Sequence, residues 1–152
     1  MSDPDTSLTV DAIEPSAKFT LELVVRDDDI DALGHASNIV FVRWIQEAAL
    51  AHSSAVGLDL DAYQRLGAVF VVVRHEIDYL RPALRGDVIE ARTWISSVMA
   101  AKCLRKTELV RKADGVSLAR GVTTWGFVAF DSGRPKRIPE GVLTAFGPYV
   151  HP

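Results

Sequence analysis

The stretch NIVFVRWIQEAALAHSSAVG, residues 38–57, decides how this chain folds. Ser37 or Asn38 can cap it and Gly57 can close it, so it predicts a helix of about five turns. Its apolar residues (Ile39, Val40, Phe41, Val42, Trp44, Ile45 and Ala48 to Ala51) go almost all the way round, and only Arg43, Gln46, Glu47 and His52 interrupt them. A helix of that composition is expected to be buried rather than to float on a surface. Arg43 and Glu47 are four apart and can pair.

The rest of the chain supplies what buries it. FTLELVV (19–25) alternates and is β-branched, which predicts a strand; LDLDAYQRLG (58–67) predicts a short second helix ending at Gly67. Four strand-like runs follow: AVFVVVRHEIDYL up to Pro82, DVIEARTWISSV, AKCLRKTELVRK, and VSLARGVTTWGFVAF after the hairpin signal Ala113-Asp114-Gly115. Read as a meander joined by tight turns, they predict an antiparallel sheet. Such a sheet needs one face covered, and the 38–57 helix is the one large element that can cover it. The expected fold is α+β, a curved antiparallel sheet of about five strands wrapped round one long central helix, the hotdog arrangement. Another α+β fold with a sheet packed on a helix is the alternative. Residues 1–17 are expected to be a mobile acidic tail, 18–147 a single domain, and 148–152 a C-terminal tail.

Composition excludes several classes. A net charge of −3 argues against a nucleic-acid binder, which would be basic with a clustered patch. Of 20 acidic residues four fall in 1–17, which has no Lys or Arg, leaving 16 against 17 basic residues in a near-neutral remainder. A single cysteine, Cys103, excludes an internal disulfide and fits a reducing compartment. The acidic N-terminus does not read as a signal peptide, and no apolar segment approaches the roughly 18 residues of a membrane span. The expected location is the cytoplasm.

Just ahead of the helix lies RDDDIDALGHASN, residues 26–38, with four aspartates in five positions. A calcium loop would use Asp27, Asp29 and Asp31, but it needs Gly at its sixth place and Glu at its twelfth, where this chain has Ala32 and Asn38. No metal is expected. Carboxylates before a helix are favoured by its dipole and its unpaired N–H groups, which accounts for Asp27 and Asp28 as solvated turn residues. Asp31, Gly34, His35 and Asn38 make a different set. Gly34 permits a backbone conformation closed to other residues, and the N–H groups after it suit an anion or an oxygen becoming one. A carboxylate facing that point is the minimum equipment for acyl transfer.

DIDALGHASNIVFVRWIQEA resembles the signature of the 4-hydroxybenzoyl-CoA thioesterase family of hotdog proteins, with Asp29, Asp31, Gly34, His35, Asn38, Trp44 and Glu47 in place. EIDYLRPALRGDVIEA resembles the family's second recurring segment through Tyr79, Pro82, Gly86 and Asp87. Plant acyl-ACP thioesterases carry a related stretch. Ser37 departs from the family Asn, Phe41 from a common Tyr, and Leu33 stands where the plant enzymes carry a catalytic Asn, which shifts weight to Asp31. The resemblance implies an acyl-CoA or acyl-carrier-protein thioester as substrate. Asp31 would be the catalytic carboxylate, as nucleophile or general base. His35 would join it in the catalytic set, orienting Asp31 or the substrate, with a structural histidine as the other reading; Gly34 and Asn38 would serve the oxyanion site, and Glu47 is a possible secondary residue. No cofactor beyond the substrate's own CoA is implied. A homodimer or dimer of dimers is, with the site between subunits. Arg134, Lys136 and Arg137 in GRPKR are the densest basic cluster and the candidate contact for CoA phosphates. A non-catalytic acyl-binding protein and a hotdog hydratase or dehydratase using His35 with Asp31 remain the alternatives.

Overall fold

The computed structural model describes residues 17–152, so the expected N-terminal tail lies outside the described residues but for Ala17. Strands β1 (Phe19–Val24), β2 (Ala68–Tyr79), β3 (Val88–Val98), β4 (Lys102–Arg111) and β5 (Ser117–Ala129) form one antiparallel sheet in the order β1-β3-β4-β5-β2. Helix α1 runs over Asn38–Ala55, α2 over Leu60–Leu66 and α3 over Glu140–Phe146. This is the hotdog fold: one long helix held against the concave face of a five-stranded sheet.

Three features depart from the sequence-based expectation. The strands are not a simple meander. β2 pairs with β5 and β3 with β4, so the link Leu80–Asp87 crosses from one side of the sheet to the other. It is pinned on the way. Leu80 and Arg81 donate N–H bonds to the Leu118 carbonyl, Ala36 donates to Ala83, and Gly86 donates to Val25. The crossing lays this link against the segment that precedes α1. That is why two sequence segments some 45 residues apart meet at one place.

Second, α1 buries a stripe rather than its whole circumference. Val40, Phe41, Trp44, Ile45, Ala48, Ala49, His52 and Ser53 are buried, while Ile39 is 80% and Leu50 61% exposed. Close approach on the buried side depends on Gly121 of β5, where a Cβ would stand 3.2 Å from the Ile45 Cδ1 methyl. Third, the C-terminus is structured. His52 is fully buried, and the rings of Phe146 and Tyr149 meet it edge-on at centroid distances of 5.0 and 4.4 Å. The expected tail 148–152 instead docks on the sheet: Val150 bridges Ile95, and His151 donates from its backbone N–H to the Ile95 carbonyl at 2.9 Å.

Candidate active site

The acidic stretch divides by burial. Asp27–Asp29 form a single 3-10 turn, and Asp29 alone of the three is buried, at 4% exposure. Its carboxylate accepts the Arg26 N–H at 2.9 Å and the Arg43 guanidinium at 2.7 Å. Burial pushes the Asp29 carboxyl up, but those two donors outweigh it and hold it below the usual carboxylate range. Arg43 also reaches Glu47 at 3.4 Å. Asp29 therefore ties the loop to α1. Asp27 pairs with Arg85 at 3.1 Å out in solvent, where such a pair contributes little.

Asp31 opens the next turn. Its N–H donates to the His35 carbonyl at 2.8 Å, its own carbonyl accepts the Gly34 N–H at 3.0 Å, and its Oδ1 accepts the Leu33 N–H at 2.9 Å. Ile30 and Ala36 bridge across the neck of this loop. Gly34 sits at φ 81°, with nothing within 4 Å of where a Cβ would be. The glycine is thus required by backbone conformation and not by crowding. The loop fixes the Asp31 carboxylate through one oxygen, and among the described residues nothing bonds the other.

Ser37 occupies the N-cap position without a side-chain bond, and Asn38 is the first helical residue rather than the cap. The Val40 N–H turns back to the Ser37 carbonyl at 3.0 Å. The N–H groups of Asn38 and Ile39 precede it and have no acceptor within the helix, so they point outward with the positive end of the dipole. The Tyr79 hydroxyl donates to the Asn38 carbonyl at 3.4 Å.

Asp31, His35, Asn38 and Ile39 line one side of a cleft of about 520 Å³, and Tyr79, Leu80, Arg81 and Pro82 line the other. The structure thus brings Asp31, His35 and Asn38 together, with Gly34 shaping the loop between them. No hydrogen bond joins the His35 imidazole to Asp31 among the described residues. Glu47 lies outside the cleft, nine residues along α1 from Asn38, a rise of about 13 Å. It is a half-exposed partner of Arg43, not a buried one. Arg134, Lys136 and Arg137 are also outside it. Lys136 donates to the Leu66 carbonyl at 3.4 Å, beside the start of β2, whereas Tyr79 at the far end of that strand lines the cleft. Within one chain the basic cluster does not reach Asp31. Arg81 is the cation that does line the cleft, and its place directly after the strand gave no sequence signal for this. His75 of β2 bridges Thr123 at 2.8 Å and Gln46 at 3.3 Å.

The sequence model of the Thioesterase-like superfamily matches residues 25–146, which include both walls of this cleft. The chain belongs to that superfamily. Among similar proteins, the acyl-acyl carrier protein thioesterase ATL3 of Arabidopsis thaliana is 24% identical over 128 residues, 83% of this chain and 66% of that enzyme. The palmitoyl-acyl carrier protein thioesterase of the same plant is 27% identical over 144 residues, 90% of this chain but 35% of that protein. The chain therefore spans from about two thirds down to about one third of these relatives. In three dimensions a 1,4-dihydroxy-2-naphthoyl-CoA thioesterase from Synechocystis superposes with a TM-score of 0.78 at 24% identity, covering 86% of this chain and 96% of that one. The dynemicin thioesterase superposes with a TM-score of 0.79 at 19% identity, covering 88% and 98%. These likenesses establish the shared fold.

Proposed function

We propose that the protein hydrolyses an acyl thioester carried on coenzyme A or an acyl carrier protein, with Asp31 as the reacting carboxylate. The observation that carries this is the single cleft shared by the free Asp31 oxygen and the open N–H groups at the start of α1. The carbonyl oxygen is held at Asn38 and Ile39, where negative charge develops as the carbon becomes tetrahedral. One such donor is worth roughly a hundred- to a thousand-fold in rate. Asp31 then either attacks the carbon, giving an anhydride that water cleaves, or takes a proton from the attacking water. On both routes the C–S bond breaks, the sulfur leaves as thiolate and the acyl group ends as a free carboxylic acid. A thiol pKa of about 8.5 makes the thiolate a competent leaving group without a strong general acid. His35 lines the cleft as a positioning residue for substrate.

Names borne by the relatives include both carriers, and both support the thioester class. The hydratase alternative requires His35 and Asp31 to act as an acid–base pair. The Leu33 N–H, rather than the imidazole, holds the Asp31 carboxylate, which favours hydrolysis.

We infer that the protein forms a homodimer through β2. This 12-residue strand is a sheet edge with Val71 40% and Val73 64% exposed, the kind of edge that proteins cover. Antiparallel β2–β2 pairing would set the start of one strand against the end of the other. The partner's GRPKR cluster would then lie beside the Asp31 cleft, giving Arg134, Lys136 and Arg137 a role toward CoA phosphates in trans. Among the described residues no helix is long and apolar enough to cross a membrane, and we place the protein in a reducing, cytoplasmic setting with no resident cofactor. Release of free thiol from a panel of aryl- and fatty acyl-CoAs, wild type against Asp31→Asn, tests the activity. Thiol release that Asp31→Asn retains in full, or none from any substrate, overturns it.

A further inference from the structure

A second cavity, of about 250 Å³, lies at the other end of α1. Its mouth is rimmed by Leu50 and Leu60, which are 61% and 59% exposed, and its walls are almost wholly apolar. One wall residue is out of character. Arg105 of β4 points inward with Cys103 and Thr107, and only 4% of it is exposed.

A guanidinium has five N–H donors and no acceptor, and burying it unpaired is costly. Arg105 has no carboxylate partner among the described residues. Its Nη1 donates to His52 Nδ1 at 2.9 Å and to Thr93 Oγ1 at 3.1 Å, while Nε and Nη2 make no hydrogen bond there. The His52 contact cannot neutralise it. Because Arg only donates, Nδ1 must accept, so the imidazole is the neutral tautomer with its proton on Nε2. Burial, followed by the nearby Arg105 charge, pushes the His52 pKa down to about 3. Trp125 lines the same cavity, and its buried Nε1–H has no acceptor among the described residues. Ser53 and Tyr63 also line it, though their hydroxyls bond to each other at 2.7 Å. The one carboxylate on the wall, Asp59, is exposed and takes the Ala62 N–H at the start of α2. Deep in the cavity the described residues present a surplus of donors, one of them charged, and no anion.

We propose that this cavity binds a small organic acid with an apolar body, its carboxylate meeting Arg105 and its chain running out towards Leu50 and Leu60. A carboxylate supplies the acceptors that Arg105 leaves unmet, in charge-assisted bonds stronger than neutral ones. The volume falls just below the usual ligand-pocket range, which sets the size at a short chain or a single ring. Two sources share this chemistry: a free monocarboxylic acid, and the distal carboxylate of a dicarboxylic acyl chain whose thioester lies in the Asp31 cleft of the partner subunit, which the β2–β2 pairing proposed above would set beside Val69 and Phe70 of this cavity.

The test is calorimetric titration of the full protein with octanoate and with 1-octanol, which needs no turnover and so stands apart from the thioesterase reading. Octanoate is expected to bind at least tenfold tighter than octanol and to change the Trp125 emission. Arg105→Met is expected to erase the preference. Ser54→Trp, at the exposed mouth, is expected to weaken octanoate about tenfold while leaving Arg105 intact, and it keeps the test valid should Arg105→Met fail to fold. No octanoate binding by the wild type, equal affinity for octanol, or unchanged octanoate affinity in Ser54→Trp overturns the proposal. Thiol release from octanoyl-CoA against the half-thioester of octanedioic acid then separates the sources. A preference for the half-thioester that Arg105→Met abolishes identifies a distal acyl carboxylate; octanoate binding without that preference identifies a free acid.

Discussion

Replacing Asp29 should cost far more than replacing either aspartate beside it. Asp29→Ala removes a buried carboxylate that holds both the Arg26 N–H and the Arg43 guanidinium. A charge-assisted hydrogen bond contributes about 1.5–3 kcal/mol, and a donor left unsatisfied costs about 1–3 kcal/mol more when fully buried. Arg43 is 51% exposed and Arg26 is solvent-facing, so both ends are discounted, and the expected loss is about 2–3 kcal/mol. Asp27→Ala and Asp28→Ala should each change stability by less than about 0.5 kcal/mol, as surface substitutions do. Urea unfolding followed by tryptophan fluorescence measures the three side by side. The pH dependence has a definite sign. The folded Asp29 carboxyl lies below its unfolded value, so its contribution is fully present above about pH 4 and fades as pH falls through the folded pKa. The gap between wild type and Asp29→Ala should therefore close in acid. Equal losses for Asp27→Ala and Asp29→Ala, or a gap that persists at pH 2, would refute the division of the acidic stretch.

Two further outcomes follow from the geometry. Gly34→Ala forces a side chain into φ 81°, which should cost about 1–2 kcal/mol in urea unfolding and lower thiol release by displacing the Asp31 loop. Unchanged values in both assays would show that the loop tolerates a side chain at that conformation. His52 titrates near pH 3 when folded and near 6.5 when unfolded, so stability falls as pH drops below 6.5, at up to about 1.4 kcal/mol per pH unit. Between pH 7 and pH 5 this group should remove about 2 kcal/mol, and His52→Asn should flatten that slope; a variant as pH-sensitive as wild type would assign the effect elsewhere.

The long helix, the strand boundaries and the Asp31–Asn38 segment were legible because each has a local signature: apolar density, alternation, and the Gly-His pair before a helix. What was not legible depends on contacts distant in sequence. Asp29 meets Arg43 across 14 residues, whereas the Arg43–Glu47 pair lies within one helix and could be read directly. The irregularity at Val73 shifts the parity of β2. Strict alternation would set Val71 and Val73 on one face with His75, yet both are exposed and it is Val72 that pairs opposite Trp125. Arg105 looked like one more charge in an alternating strand; its parity with Cys103 and Leu109, both buried, was the available signal. The crossing of Leu80–Asp87 could not be read from turn residues, because a turn signal does not say which strand comes next in the sheet. Helix α3 was missed because seven residues with no side-chain cap give little periodicity to read.

The central claim is that the Asp31 carboxylate acts on a thioester held at the start of α1. Asp31 is exposed, and its side chain makes one local hydrogen bond, so Asp31→Asn should leave the urea midpoint nearly unchanged. Its rate of thiol release from the best acyl-CoA, measured at saturating substrate, is the most direct test. A fall of roughly a hundred- to ten-thousand-fold at unchanged stability is the predicted result. A variant that folds as the wild type does and releases thiol as fast would contradict the account.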